Sequence, residues 1–505
     1  MTGKTSVFAL AQAYRLGDDA MSDTLHSKVR SGLLWSLAQS WGVKLVTLLL
    51  FMVMARVLDP HQLGVFAAAT VVLAFVGLFI DQGLSQAIVQ RAQITVQQLN
   101  TVFLINLGLA VLLYAILWFV APLIAVYLKI PELIDILRVA SLAILISATC
   151  FSQQAMLHRN FRYRWLAIST LVATLLSGVV GVICALRGMG TWSLVIQMLM
   201  GTVIGAVMLW TQPQWRFSFD LDFAGVRSLF SYGMKRLGTS LLDFVNTRYV
   251  ELFVAATLGP VALGIYSVGV RIYQALMQAL SSAILDVAHS GFSRVAHDPP
   301  VLLAAYYKAV TLTVAVAVPV FCLLAAIAPE ATVIFFGHRW AASADILRPI
   351  AFLGAVQVVA YYNGTLFNAI GRPDIGLKFM VLKTVVTFLS LWLVRESDLL
   401  AIVYAYAASQ LVLIPLIFYL AQRIVGVSLR TVLMRTWRFL FASVLGVALI
   451  LLSRHVDAVM QLPVLFRGIV LGMIGSVAYL GFLVLAARAQ LRELFVMVRV
   501  QRQPG

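Results

Sequence analysis

Several ionisable side chains lie inside long apolar stretches of this chain, where little water is available to solvate a charge. The embedded set contains four basic and three acidic residues: Lys44, Arg248, Arg271, Lys383, Asp81, Asp243 and Glu251. Placing such a residue at the centre of a membrane helix costs about 2.5–3.5 kcal/mol. Each of them is therefore expected to face a polar cavity or a partner of opposite charge.

The spacing of these charges allows some of them to neutralise one another. Arg248 and Glu251 are three residues apart, so on a helix they share a face and can pair. Lys44 lies midway along the first apolar stretch, where it faces a cavity or pairs with Asp81. Asp81 itself is either an ion or gating group or a residue at a helix end. Two roles remain possible for these residues: contact with a ligand, or an internal ion pair that fixes helix packing.

The elements that carry these residues are membrane helices. The chain has 505 residues, of which 62% are hydrophobic and only 11% are charged, and its mean hydropathy is +0.96. Soluble domains carry roughly a quarter charged residues. A soluble chain of this composition would expose large apolar patches, whereas a lipid bilayer accepts them.

Apolar stretches long enough to span a bilayer recur along the chain. They predict an all-α polytopic membrane protein of about fourteen transmembrane helices and no large soluble domain. The predicted helices cover residues 33–57, 62–82, 101–127, 133–156, 165–186, 192–211, 231–257, 261–286, 303–327, 345–369, 377–394, 399–422, 439–453 and 465–486.

Basic residues are concentrated in alternate connections between the predicted helices. The tails, the connection 159–164 and the segment 423–438 are rich in arginine, whereas Lys129 and Arg187 stand as single charges in opposite loops. This asymmetry predicts that both termini are cytoplasmic. It also accounts for the net charge of +17 without nucleic-acid binding, which would need a continuous basic surface.

Two segments of the chain repeat each other. Residues 55–66 and 255–266 share leucine, proline and glycine at a constant offset, including Pro60 with Pro260 and Gly64 with Gly264. This duplication predicts two parallel halves with a substrate site between them. The predicted regions are a cytoplasmic tail over 1–30, a first lobe over 31–214, an amphipathic linker over 215–230, a second lobe over 231–423, two further helices over 424–487 and a second tail over 488–505.

Motifs for enzymatic chemistry are missing from the sequence. The P-loop pattern that cradles nucleotide phosphates does not occur, and neither does a metal-ligand cluster or a Ser/His/Asp arrangement. The three cysteines lie in apolar segments without a CxxC spacing. We therefore expect no catalytic residues, no metal and no organic cofactor.

Several short motifs together resemble the bacterial polysaccharide flippases of the colanic-acid-exporter type, within the multidrug/oligosaccharidyl-lipid/polysaccharide exporter superfamily. Each motif is weak alone, and their order and spacing carry the resemblance over roughly residues 30–440. The motifs are ARVLDP at 55–60, LG at 63–64, DQGL at 81–84, A at 87 with VQR at 89–91, LGP at 258–260, LGIY at 263–266, GHRW at 337–340 and NAIGRP at 368–373.

The resemblance implies two six-helix lobes in a V around a central cavity, plus two extra C-terminal helices. The implied cargo is an undecaprenyl-pyrophosphate-linked oligosaccharide, flipped by alternating access without ATP hydrolysis. Diphosphate and sugar contacts are then expected from Lys44, Arg248, Arg271, Asn246, Tyr249 and Tyr273, and coupling or gating from Asp81, Asp243, Glu251 and Lys383. Glu251 departs from the aspartate common in relatives, and the coupling ion, Na⁺ or H⁺, stays open.

The same resemblance implies a location in the bacterial inner membrane and two protein partners, a polysaccharide polymerase and a chain-length regulator. Two other functions are kept as alternatives. A drug/cation antiporter of the same superfamily needs an acidic cavity, whereas the embedded excess is basic. A membrane polysaccharide polymerase or ligase usually carries a large periplasmic loop, and no predicted outer loop is long.

Overall fold

The computed structural model describes residues 41–81, 88, 94–160 and 162–486, with the side chains of 81, 224–236, 281–287 and 289–290 left aside. Every regular element in these ranges is helical. The first half contains α1 (41–57), α2 (Pro60–Asp81), α3 (Val96–Leu128), α4 (Leu133–Ala140), α5 (Leu142–Ala148), α6 (Phe151–Arg159), α7 (Tyr163–Leu186) and α8 (Thr191–Thr211).

The remaining helices begin with a long, bent element. They are α9 (Phe223–Arg294), α10 (Pro299–Ala326), α11 (Ala328–Phe336), a 3₁₀ turn (His338–Trp340), α12 (Ser343–Ala360), α13 (Tyr362–Ala369), α14 (Pro373–Leu393), α15 (Leu399–Val412), α16 (Ile414–Val425), α17 (Leu429–Ser453), α18 (Asp457–Met460) and α19 (Val464–Ala486). Within α9, Gly259 has a φ of 79° and Pro260 follows it. A positive φ is open to glycine at little cost, so α9 is two helices that meet at this break.

The described helices confirm a polytopic all-α membrane protein. Eleven segments are long and apolar enough to cross a bilayer, or twelve if the bent helices between Leu133 and Arg159 form one span. The segment Leu237–Leu280 counts once although it contains the Gly259 break, and only residues 41–57 of the first helix are described. These numbers are compatible with the fourteen helices predicted from the sequence.

Some predicted helices are interrupted. The predicted helix 133–156 consists of α4, α5 and α6, with a 41° bend before α6. The predicted helices 345–369 and 399–422 break at Tyr361 and Leu413. The connection around 329–343 holds α11, whose residues include the fully buried Glu330.

The chain divides by contacts into two compact units. The first contains residues 1–51, 72–124 and 133–241. Its helices α7 and α8 pack closely because each presents a glycine to the other: a Cβ on Gly181 would lie 2.7 Å from Gln197, and one on Gly201 would lie 3.1 Å from Ser177 Oγ. Small residues at helix contacts are the usual means of close approach in membranes.

A non-helical segment, residues 212–222, which we call the linker strap, leads from α8 to α9 within the first unit. Asn100 of α3 holds it at three places: its Nδ2 donates to Ser218 Oγ at 2.7 Å and to Asp220 O at 2.9 Å, and its Oδ1 accepts from Trp215 Nε1 at 2.9 Å. The Gln153 side chain also donates to Trp215 O at 2.6 Å. These bonds satisfy buried polar groups that would otherwise be costly.

The second unit contains residues 52–71, 125–132 and 242–505. A hydrophobic cluster in this unit is centred on α10, and α12, α13, α16 and α17 also contribute buried residues to it. The helices α17 and α19 approach closely, since a Cβ on Gly446 would lie 2.9 Å from Gly475 O. Glu330, which is fully buried, pairs with Arg454 at 2.6 Å and with Arg467 at 3.1 Å, and so ties both helices to α11.

Candidate functional site

Eight of the ten predicted site residues lie in the second unit. They are Asp243, Asn246, Arg248, Tyr249, Glu251, Arg271, Tyr273 and Lys383. The first seven belong to α9, on either side of the Gly259 break, and Lys383 belongs to α14. The break lets α9 fold back, so that residues far apart along one helical segment can approach each other.

The Arg248–Glu251 pair predicted from spacing is present. Arg248 Nη1 lies 2.7 Å from Glu251 Oε2, and the two side chains are 42% and 8% exposed. Arg271 lies within electrostatic range of both partners. The described part of this cluster thus places two guanidinium groups around one buried carboxylate.

Tyrosine hydroxyls border the arginine cluster. Tyr266 is buried and lies within electrostatic range of Glu251, Arg248 and Tyr273. The Tyr273 hydroxyl donates to Gln357 Oε1 at 3.1 Å. Phenol and amide groups of this kind can donate and accept hydrogen bonds, as a hydroxyl-rich ligand requires.

Lys383 lines a separate cavity of about 220 Å³ in the second unit. Gln357, Tyr361 and Gln410 also line it, and Asp243 lies within electrostatic range of the Lys383 ammonium. Because Gln357 also accepts from Tyr273, one hydrogen bond joins the lining of the cavity to α9, the element that carries the arginine cluster.

Asn246 and Tyr249 take part in packing between helices. The Asn246 amide donates to Thr384 Oγ1 at 2.7 Å and to Leu242 O at 2.9 Å, which fixes α9 against α14. The ring of Tyr249 lies 5.5 Å from that of Phe388. These positions show that both residues help to hold the helices of the site together.

The two remaining predicted residues lie in the first unit. Lys44 is half-buried on α1. Asp81 is the last residue of α2, and its side chain lies outside the described residues, as does most of the motif at 81–91. Their predicted roles in substrate contact and gating stay predictions.

Sequence reasoning missed several polar residues of this region. Gln357, Tyr361 and Gln410 lie in predicted spans and line the Lys383 cavity. The signal that could have found them is the rarity of amide side chains in apolar helices, where they need partners.

The region has the chemistry of a binding site for an anionic, hydroxyl-rich ligand. Arg248, Arg271 and Lys383 outnumber the carboxylates of Glu251 and Asp243, and planar guanidinium groups match phosphate geometry. Across the described parts of the chain, His, Cys, Asp and Glu side chains form no group of three that could hold a metal ion.

A multi-span helical bundle with charged groups inside its helices has the architecture of a membrane transporter fold. The chain is similar to the lipid II flippase MurJ in its inward closed conformation, with a TM-score of 0.74, 12% identity, and coverage of 91% of this chain and 100% of that one. It also resembles a multidrug resistance MATE family transporter of the MOP superfamily, with a TM-score of 0.51, 16% identity, and coverage of 78% and 94%.

Within this class, the chain belongs to the polysaccharide biosynthesis protein family, whose sequence model matches residues 53–345. Three relatives support the assignment. It is 22% identical to the teichuronic acid biosynthesis protein TuaB of Bacillus subtilis (strain 168), over 76% of this chain and 80% of that protein. The succinoglycan biosynthesis transport protein ExoT of Rhizobium meliloti (strain 1021) is 27% identical over 66% and 67%, and the lipopolysaccharide biosynthesis protein WzxC of Escherichia coli (strain K12) is 23% identical over 72% and 74%.

Proposed function

We propose that this protein flips undecaprenyl-pyrophosphate-linked oligosaccharide repeat units across the bacterial inner membrane for surface or exopolysaccharide biosynthesis. The observation that carries the proposal is the basic region of the partly buried Arg248, Arg271 and Lys383 in a member of a polysaccharide biosynthesis family. A diphosphate needs cations inside the membrane, and the prenyl chain can stay in lipid. A cationic drug would be repelled by the same charge excess.

In this proposal Arg248 and Arg271 bind the diphosphate. When the diphosphate binds, a phosphate oxygen replaces Glu251 as the partner of the Arg248 guanidinium. Between transport events Glu251 occupies that place. Tyr273, Gln357 and the Lys383 cavity supply hydrogen bonds to the first sugars. Such an exchange keeps the partly buried Arg248 paired throughout, which offsets its desolvation cost.

The proposed direction of transport is that of the flippases the sequence resembles. Cargo is taken up from the cytoplasmic leaflet and released at the periplasmic one, by a protein whose two termini are predicted to be cytoplasmic. A polysaccharide polymerase and a chain-length regulator are the partners proposed to act on the released repeat units. Alternating access through conformational change supplies the movement.

Deletion of the gene tests the proposal. We expect the deletion strain to lose surface polysaccharide and to accumulate lipid-linked repeat units, and the wild-type gene to restore both. Arg248→Ala and Arg271→Ala should fail to restore export at normal protein levels, whereas Arg395→Ala, at an exposed pair with Glu396, should restore it. Normal surface polysaccharide in the deletion strain would overturn the proposal.

A further inference from the structure

The two copies of the repeated turn contact each other in the second unit. A Cβ built on Gly64 would overlap the carbonyl oxygen of Pro260 and lie 2.6 Å from its carbonyl carbon. A Cβ on Gly264 would overlap the carbonyl oxygen of Pro60 and lie 2.9 Å from its carbonyl carbon. Each glycine therefore accommodates the proline carbonyl of the other copy. We call these four residues the Pro–Gly seal.

The reciprocal contact explains why both copies keep a glycine at this place. The glycines are needed for close approach of backbone to backbone and not for a special φ, since both lie within helices. Apolar residues beside them are fully enclosed, with Leu63 and Leu263 at most 3% exposed. The seal is thus a contact of backbone with backbone at its centre.

Hydrogen bonds from one further motif hold the first copy in place. Trp340 Nε1 donates to Ala55 O at 2.6 Å, and Arg339 Nη1 donates to Leu58 O at 3.2 Å. These carbonyls lie at the C-terminal end of α1, where helix carbonyls have no partner within the helix. Arg56 returns the contact by donating to Ile334 O of α11 at 2.6 Å. Arg339 and Trp340 thus form a clamp on the end of α1.

The same helices extend beyond this contact into the other unit. The boundary between the two units falls inside α1, between residues 51 and 52, and inside α2, between residues 71 and 72. The end of α1, which the clamp holds, and the start of α2, which carries Pro60 and Gly64, therefore belong to the second unit. Separation of the two repeats at this end requires the seal and the clamp to open.

We propose that the Pro–Gly seal is the closed gate at the end of the molecule predicted to face the periplasm, and that the clamp of Arg339 and Trp340 sets how readily it opens. This inference rests on the proposed function and on the predicted orientation. Backbone surfaces that meet at glycines separate without repacking of large side chains, and the clamp consists of hydrogen bonds that water can replace. Release of the cargo then follows opening of the seal.

Cysteine labelling tests the gate directly. In a chain whose three cysteines are replaced by serine, Leu63→Cys places a thiol beside the seal, and a membrane-impermeant maleimide added outside the cell reports opening. Gly64→Ala and Gly264→Ala should each raise the labelling rate about tenfold, which corresponds to about 1.4 kcal/mol in the closing equilibrium. Gly77→Ala and Gly472→Ala are matched controls, because a Cβ at either position meets no atom within 4 Å.

A second pair of variants keeps the test decisive if the alanine variants fold poorly. Arg339→Gln and Trp340→Phe leave the glycines intact and should also raise the labelling rate. Gel filtration in detergent, with elution at the wild-type volume, shows that each variant is folded. Labelling rates equal to those of the controls in all folded variants would overturn the gate. Two results together would separate the gate from the cargo. If the variants show raised labelling but deletion of the gene leaves surface polysaccharide normal, the gate stands and the proposed cargo is refuted.

Discussion

Replacement of Glu251 by glutamine separates a binding role of the Arg248 pair from a packing role. The carboxylate lies 2.7 Å from the guanidinium and is 8% exposed, while Arg248 is 42% exposed. A hydrogen bond between charged groups contributes about 1.5–3 kcal/mol, and the exposure of Arg248 places this pair toward the lower end of that range. A diphosphate that binds Arg248 must replace this interaction.

Glu251→Gln keeps the side-chain shape and removes the competing charge. We therefore expect the variant to bind undecaprenyl pyrophosphate about tenfold more tightly than the wild type, which corresponds to about 1.4 kcal/mol. The assay is a ligand titration of purified protein in detergent, with inorganic pyrophosphate as a competitor. Glu396→Gln is the control, since Glu396 is 85% exposed and pairs with Arg395 at 3.3 Å.

The packing interpretation predicts a different result for the same variant. If the pair serves only to fix the helices, Glu251→Gln lowers the melting temperature and leaves the affinity unchanged. An affinity equal to or below that of the wild type, in protein that remains folded, would refute the exchange of Glu251 for phosphate.

Three further predictions concern other parts of the molecule. Lys383→Met should reduce export strongly while Lys383→Arg retains part of it, because the cavity needs a cation; export of surface polysaccharide at matched protein levels measures this. Glu330→Ala should destabilise the protein by about 3 kcal/mol, because it leaves Arg454 and Arg467 without their carboxylate. This is the lower end of the cost of breaking a buried pair, since both arginines are about one-fifth exposed. Thermal unfolding in detergent should show a lowered midpoint, and an unchanged midpoint would contradict the prediction. Asn100→Ala removes the bonds to the linker strap and should speed protease cleavage there without loss of the helical signal.

The sequence predicts the membrane helices well because the bilayer imposes a simple length rule. A span needs about 20 apolar residues, so α7 and α8 are recognised within a few residues of their ends. The interruptions at Tyr361 and Leu413 were not predicted. The break at Leu413 comes just before Pro415, whose missing N–H is a sequence signal that the count of apolar residues passes over. The break at Tyr361 has no proline beside it, and backbone bends of this kind depend on neighbouring helices to satisfy the freed groups.

Part of the candidate site was also predictable. The pairing of Arg248 with Glu251 follows from helical spacing alone. The bond from Tyr273 to Gln357 joins residues on separate helices, and its formation depends on which helix faces meet, which spacing within one helix does not specify. Likewise, the repeat identifies Gly64 and Gly264, but the contact of each with the other copy is a tertiary fact.

Transport in a purified system tests the central claim most directly. The protein is reconstituted into liposomes that contain a fluorescent undecaprenyl-pyrophosphate-linked oligosaccharide in one leaflet, and appearance of the label in the opposite leaflet is followed by chemical quenching. We predict transfer well above that of protein-free liposomes for the wild type and for Arg395→Ala, and transfer near the protein-free rate for Arg248→Ala and Arg271→Ala. Wild-type transfer at the protein-free rate, or undiminished transfer by both arginine variants, would contradict the account.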